Sequence, residues 1–156
     1  MTLFARDAFS IPQETTRVAR AAFPKGNVYM TMRDDVGLWY KDSEFASLFA
    51  SPAGRPAESP GRLALVTIMQ YAEGLTDRQA ADSVRGRIDW KYGLALPLED
   101  SGFDFSVLSE FRDRLLAGGL ETKLLDDMLV RFRDRGWVKA PGQQRTGSTN
   151  VLAEIL

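Results

Sequence analysis

The chain has 156 residues, 44% of them hydrophobic and 26% charged, which is enough for one domain with a real core. It contains neither cysteine nor histidine, so disulfides, thiolate metal sites and the usual near-neutral general base are excluded. Basic and acidic residues nearly balance at 20 and 21, so only a local basic face can favour nucleic acid.

Residues 1–10 read as a loose arm without the apolar core of a targeting segment. No apolar run approaches the roughly 18 residues of a membrane span, and a cytoplasmic protein without membrane contact is expected. Ser10 is a candidate cap, and Pro12 a first-turn residue, for a helix with Val18, Ala19, Ala22 and Phe23 on its apolar face. Pro24-Lys25-Gly26-Asn27 ends that helix. For Val28 to Arg33, periodicity does not decide between strand and helix. Asp42 or Ser43 can cap a short helix carrying Phe45, Leu48 and Phe49. Residues 51–60, with Pro52, Gly54, Pro56 and Pro60, read as a loop and a possible hinge.

The strongest local signals come next. Ser59 caps and Pro60 opens a helix through about Glu73, with Leu65, Ile68, Met69 and Ala72 on one face. Gly74-Leu75 makes a tight break. Thr76-Asp77-Arg78-Gln79 has capping-box form and starts a second helix to about Arg85, with Ala80, Ala81 and Val84 inward. Residues 61–85 thus have a helix-turn-helix pattern, although two amphipathic helices around a glycine turn occur in many helical domains. Ile88 to Tyr92 reads as a further short helix. Phe103-Asp104-Phe105-Ser106 leads into a helix with Leu108, Phe111 and Leu115, closed by Gly118-Gly119. A last helix covers roughly 120–135, with Leu125, Met128, Leu129 and Phe132 on its face. The fold class expected is all-α, with a central helix-turn-helix-like pair and a short irregular carboxy-terminal tail.

If the second helix enters a major groove, Arg78, Ser83 and Arg85 are the residues offered to bases or phosphates. Arg62, Arg87 and Lys91 are candidate phosphate contacts, and Asp77 and Asp82 on the same helix oppose them. Trp90 and Tyr92 can stack on bases or anchor the core, and the core reading is favoured. The mixed charges between Glu110 and Arg135 read as a solvated face. Carboxylates are plentiful, but none sits in a metal-ligand motif, and no glycine-rich phosphate loop is present. The residues therefore point to no enzyme and no cofactor.

The stretches Gly54 to Thr67, Gly74 to Asp82, Val84 to Tyr92 and Gly102 to Arg112 resemble the N-terminal domain of InsH-type insertion-sequence transposases, of the DDE class. The resemblance runs from about Ile11 to the end. It implies a helical domain at 11–139 that binds double-stranded DNA at terminal inverted repeats, followed by the start of an RNase H-like catalytic domain at 140–156. In that family an Arg-Thr-Asp-Ser-Thr-His-Val motif carries the first of three acids that hold divalent metal ions for strand transfer. Arg145-Thr146-Gly147-Ser148-Thr149-Asn150-Val151 stands in its place, with Gly147 at the acid position and Asn150 at the His position. No transposase chemistry is expected from such a chain, and its end at Leu156 fits either a decayed remnant, which is favoured, or a repressor fragment. One alternative is a module that dimerises with itself or with intact transposase through the helices of 105–135. Another is a metal-dependent nuclease.

Overall fold

A computed structural model describes residues 10–36 and 58–134 of the chain. Every regular element among them is a helix: α1 Gln13–Ala22, α2 Val28–Val36, α3 Pro60–Glu73, α4 Asp77–Gly86, α5 Ile88–Gly93, α6 Ser106–Ala117 and α7 Glu121–Asp134. The fold class is all-α, as the periodicity predicts. The expected helix after Asp42, the tail at 140–156 and Gly147 lie outside the described residues.

α1 departs from expectation at its start. Pro12 is its N-cap and makes no side-chain cap bond, so Ser10 does not cap it. Its buried residues are Thr15 and Ala19, whereas Ala22 is exposed. A narrow stripe of small side chains lets α1 lie close to α5. Thr15 donates its hydroxyl to the Leu96 carbonyl at 2.7 Å, which satisfies a polar group that burial would otherwise penalise.

Residues 28–36 are helical, and Asn27 supplies the reason. Its side-chain oxygen accepts from the Met30 backbone N–H at 3.1 Å, and its carbonyl accepts from Thr31. Asparagine at that position satisfies a donor that the first helical turn leaves open. Tyr29, Met32 and Arg33 are buried together at helical spacing.

α3 is the central helix. Ser59 accepts from the Arg62 N–H at 3.3 Å, and Pro60 stands where no backbone donor is needed. Gly74 ends the helix in the left-handed region (φ 66°, ψ 37°), and the Leu75 N–H reaches back to the Gln70 carbonyl at 3.0 Å. That is a Schellman turn, and glycine enters it without a Cβ penalty. Burial of α3 extends well beyond the expected stripe to Leu63, Ala64, Val66, Thr67 and Gln70. A helix covered on most sides loses its amphipathic signature.

The capping box of α4 forms as its residues imply. Thr76 Oγ1 accepts from the Gln79 N–H (3.1 Å), and Gln79 Oε1 accepts from the Thr76 N–H (2.9 Å). Ala80, Ala81 and Val84 are buried beneath it. Arg87, in extended conformation, both closes α4 and opens α5.

The main core joins Leu63, Leu65, Ile68 and Met69 of α3 to Trp90 and Leu94, and to Leu108 and Phe111 of α6. Each such side chain contributes about 1.5–3 kcal/mol when fully buried. Trp90 meets Tyr29 edge-on, with ring centroids 6.0 Å apart. A smaller cluster of Ala19, Met30 and Tyr92 ties α1 and α2 to α5. Trp90 and Tyr92 are therefore core anchors.

Candidate nucleic-acid interface

The six cations and hydroxyls singled out in the sequence fall into two groups. Arg62, Arg87 and Lys91 are bonded into the protein. Arg78, Ser83 and Arg85 sit on the outward side of α4.

Arg62 reaches from α3 to the end of α5, donating from Nε to the Leu94 carbonyl (2.9 Å) and from Nη2 to the Ala95 carbonyl (2.8 Å). Lys91 is only 2% exposed and donates its ammonium to the Asp100 carbonyl. Burial pushes its pKa down, with partial opposition from the Asp100 charge. Lys91 is thus bonded to the chain itself, and a phosphate contact would have to replace its bond to Asp100.

Arg87 is the hub of a polar network. Its Nη1 donates to both Glu73 oxygens at 2.6 and 2.8 Å, while Nε and Nη2 bracket Asp89 at 3.1 and 2.8 Å. Glu73 also accepts from Tyr29 Oη (2.5 Å) and from Trp90 Nε1 (3.2 Å), and Asn27 donates to Asp89 (3.1 Å). Burial alone would raise the Glu73 pKa. The bonds from Arg87, Tyr29 and Trp90 outweigh burial, and the carboxyl lies below its ordinary value. Burial is also the main reason that the Tyr29 phenol is pushed up. Four elements meet at this network, which gives Arg87 a structural task.

On α4 the surroundings differ. Arg78 is exposed and makes no hydrogen bond or ion pair among the described residues; its guanidinium carbon lies 4.4 Å from the centre of the Phe105 ring. Arg85 is exposed, donating from Nε to the Ser101 carbonyl (3.1 Å) and from Nη1 to Asp82 (3.3 Å). Exposed pairs of that kind contribute little and exchange readily. Ser83 donates its hydroxyl to the Gln79 carbonyl at 2.9 Å, a bond it must release to donate to a phosphate.

Asp77 does not oppose these cations freely. Arg112 grips it with two bonds of 2.7 Å, and Gln70 adds a third at 2.8 Å. The Arg112 bonds hold the Asp77 carboxyl below its usual range against the opposing effect of burial. The clamp joins α4 to α6 and removes one negative charge from competition on the outward face. Arg112 belongs to the charge pattern read as solvated, and only its partner in space reveals its role.

Among the described residues no cluster of three or more carboxylates could hold a metal ion, and no helix is long and apolar enough to cross a membrane. Among the described residues, α4 thus turns Arg78 and Arg85 outward from a helical domain. The family model described as "Transposase domain (DUF772)" matches residues 17–114, more than half of the chain. The chain belongs to that family of transposase domains, and its role is transposase-related. No curated protein and no solved structure matches it.

Proposed function

We propose that this chain is the DNA-binding N-terminal region of an InsH-type insertion-sequence transposase, with α4 as the helix that enters the major groove. Arg78 and Arg85 then contact bases, and Ser83 donates to the backbone. The observation that carries the reading is the two-sidedness of α4. Ala80, Ala81 and Val84 fix it to the core, while Arg78 and Arg85 face out, Arg78 without a hydrogen bond or ion pair among the described residues and Arg85 with exposed bonds to Ser101 and Asp82 alone. Its support on α3 across the Gly74 turn gives it the rigid seat that groove insertion needs. Gly147 offers no side chain to a metal ion, so strand cleavage is not part of the proposed role.

The test is binding of the purified chain to a labelled duplex carrying terminal inverted repeats, across a salt series from about 50 to 200 mM. The expected result is a linear fall of log affinity with log salt, shallower in Arg78→Ala and Arg85→Ala. No retention of the repeats at the lowest salt overturns the reading.

A further inference from the structure

Phe105 has a position that core packing does not explain. It is 37% exposed and belongs to neither hydrophobic cluster, although Phe103 and Val107 on either side of it do pack against the main core. Its backbone is held firmly. Asp104 Oδ2 accepts from both the Ser106 N–H (3.0 Å) and the Ser106 hydroxyl (2.6 Å), fixing the first turn of α6. The ring so placed lies against Arg78, with 4.4 Å between guanidinium carbon and ring centre. The carboxylates adjacent to these two residues are occupied, Asp77 by Arg112 and Asp104 by Ser106. An arginine held on an aromatic face keeps its N–H fork available while losing rotational freedom before it binds anything.

We propose that Phe105 is the positioning residue for Arg78, holding its guanidinium ready to pair with one guanine of duplex DNA. This rests on α4 being the DNA-contacting helix. Guanine is the base whose N7 and O6 acceptors match an arginine fork in the major groove. A pre-ordered side chain avoids the entropy cost of immobilisation on binding. Arg85 has no aromatic support among the described residues, so base choice is expected to concentrate at Arg78.

The experiment uses the 156-residue chain and a pool of duplexes with a randomised centre. Retained duplexes are sequenced, and affinity for the most enriched one is measured by fluorescence anisotropy. Wild-type protein is expected to enrich guanine at one position, and Arg78→Ala to lose that enrichment. Phe105→Ala and Phe105→Leu should weaken affinity roughly three- to tenfold and blunt the guanine preference. Phe105→Trp, which keeps a π face, should retain both. In the Arg78→Ala background, Phe105→Ala should have no further effect. Circular dichroism checks folding; if the alanine variant unfolds, the leucine and tryptophan variants decide. Guanine enrichment at wild-type affinity in the folded alanine or leucine variant overturns the proposal, as does equal weakening in the Arg78→Ala background. If Arg78→Ala itself keeps the enrichment, or no duplex is retained at all, the reading of α4 falls and takes this proposal with it.

Discussion

Arg33 of α2 and Arg62 of α3 converge on the carbonyl end of α5. Arg33 donates from Nε and Nη2 to Gly93 at 2.9 and 2.7 Å, and Arg62 serves Leu94 and Ala95 at 2.9 and 2.8 Å. Thr15 takes the next carbonyl, Leu96. Carbonyls at a helix end have no partner within the helix, and here three other segments supply them. Arg62→Ala should therefore cost about 2 kcal/mol of stability, the scale of a charged donor lost from buried carbonyls. Urea unfolding measures it. On the proposed DNA-binding role, the salt slope of binding should not change, and a stable Arg62→Ala protein with a shallower slope would move Arg62 to the DNA.

Ala95 stands at φ 54° just beyond α5, in the left-handed region. The Leu96 N–H closes the same turn by bonding the Lys91 carbonyl at 2.8 Å. Any Cβ there is strained, and glycine relieves it. Ala95→Gly should raise stability by about 0.5–1 kcal/mol. A lower urea midpoint in this variant would show that the Ala95 methyl contributes more through packing than its backbone costs.

Removing Arg87 leaves Glu73 and Asp89, with side chains 18% and 9% exposed, without their cation. Arg87→Ala is expected to cost about 3 kcal/mol or more. Arg87→Lys should recover only part of it, because one ammonium cannot bracket two carboxylates in the manner of a planar fork. Full recovery by lysine would mean that charge alone, not geometry, holds α3 to α5.

The Asp77–Arg112 pair is a bidentate clamp on half-covered side chains. A double-mutant cycle with Asp77→Asn and Arg112→Met should return a coupling of about 1–2 kcal/mol, above the range for exposed pairs. Coupling near zero would reduce the clamp to an incidental contact.

Acid should weaken the fold through two carboxylates. Glu73 and Asp77 both have folded pKa values below their ordinary ones. Their stabilisation is complete above the unfolded value, about 4, and is lost as pH falls through the lower folded values. Urea midpoints should fall on the acid side of about pH 4. Asp77→Asn should flatten that decline, and an unchanged acid slope would remove Asp77 from the account.

Much of the architecture is legible in the order of the residues. The Ser59–Pro60 start, the Gly74 stop, the Thr76–Gln79 box and the short helix at 88–93 all stand where the residues place them. Caps and turns are made between residues a few positions apart, so their chemistry can be read directly from the chain. Asn27 carries the same kind of signal, and its cap settles Val28 to Val36 as helix. Phe105 offers only a weak sign, an aromatic beside a helix start.

The order of residues alone carries α3 to α6, the ends of α3 and the start of α4, and the resemblance to a transposase domain, but leaves α2 open between strand and helix. Which cations remain accessible depends on how the helices pack. Arg62, Arg87 and Arg112 look no different in sequence from Arg78 and Arg85, yet they bond Leu94, Glu73 and Asp77, which lie 32, 14 and 35 residues away. A guanidinium is a strong donor wherever it stands, and whether carbonyls and carboxylates of the same chain reach it depends on how distant segments come together in space.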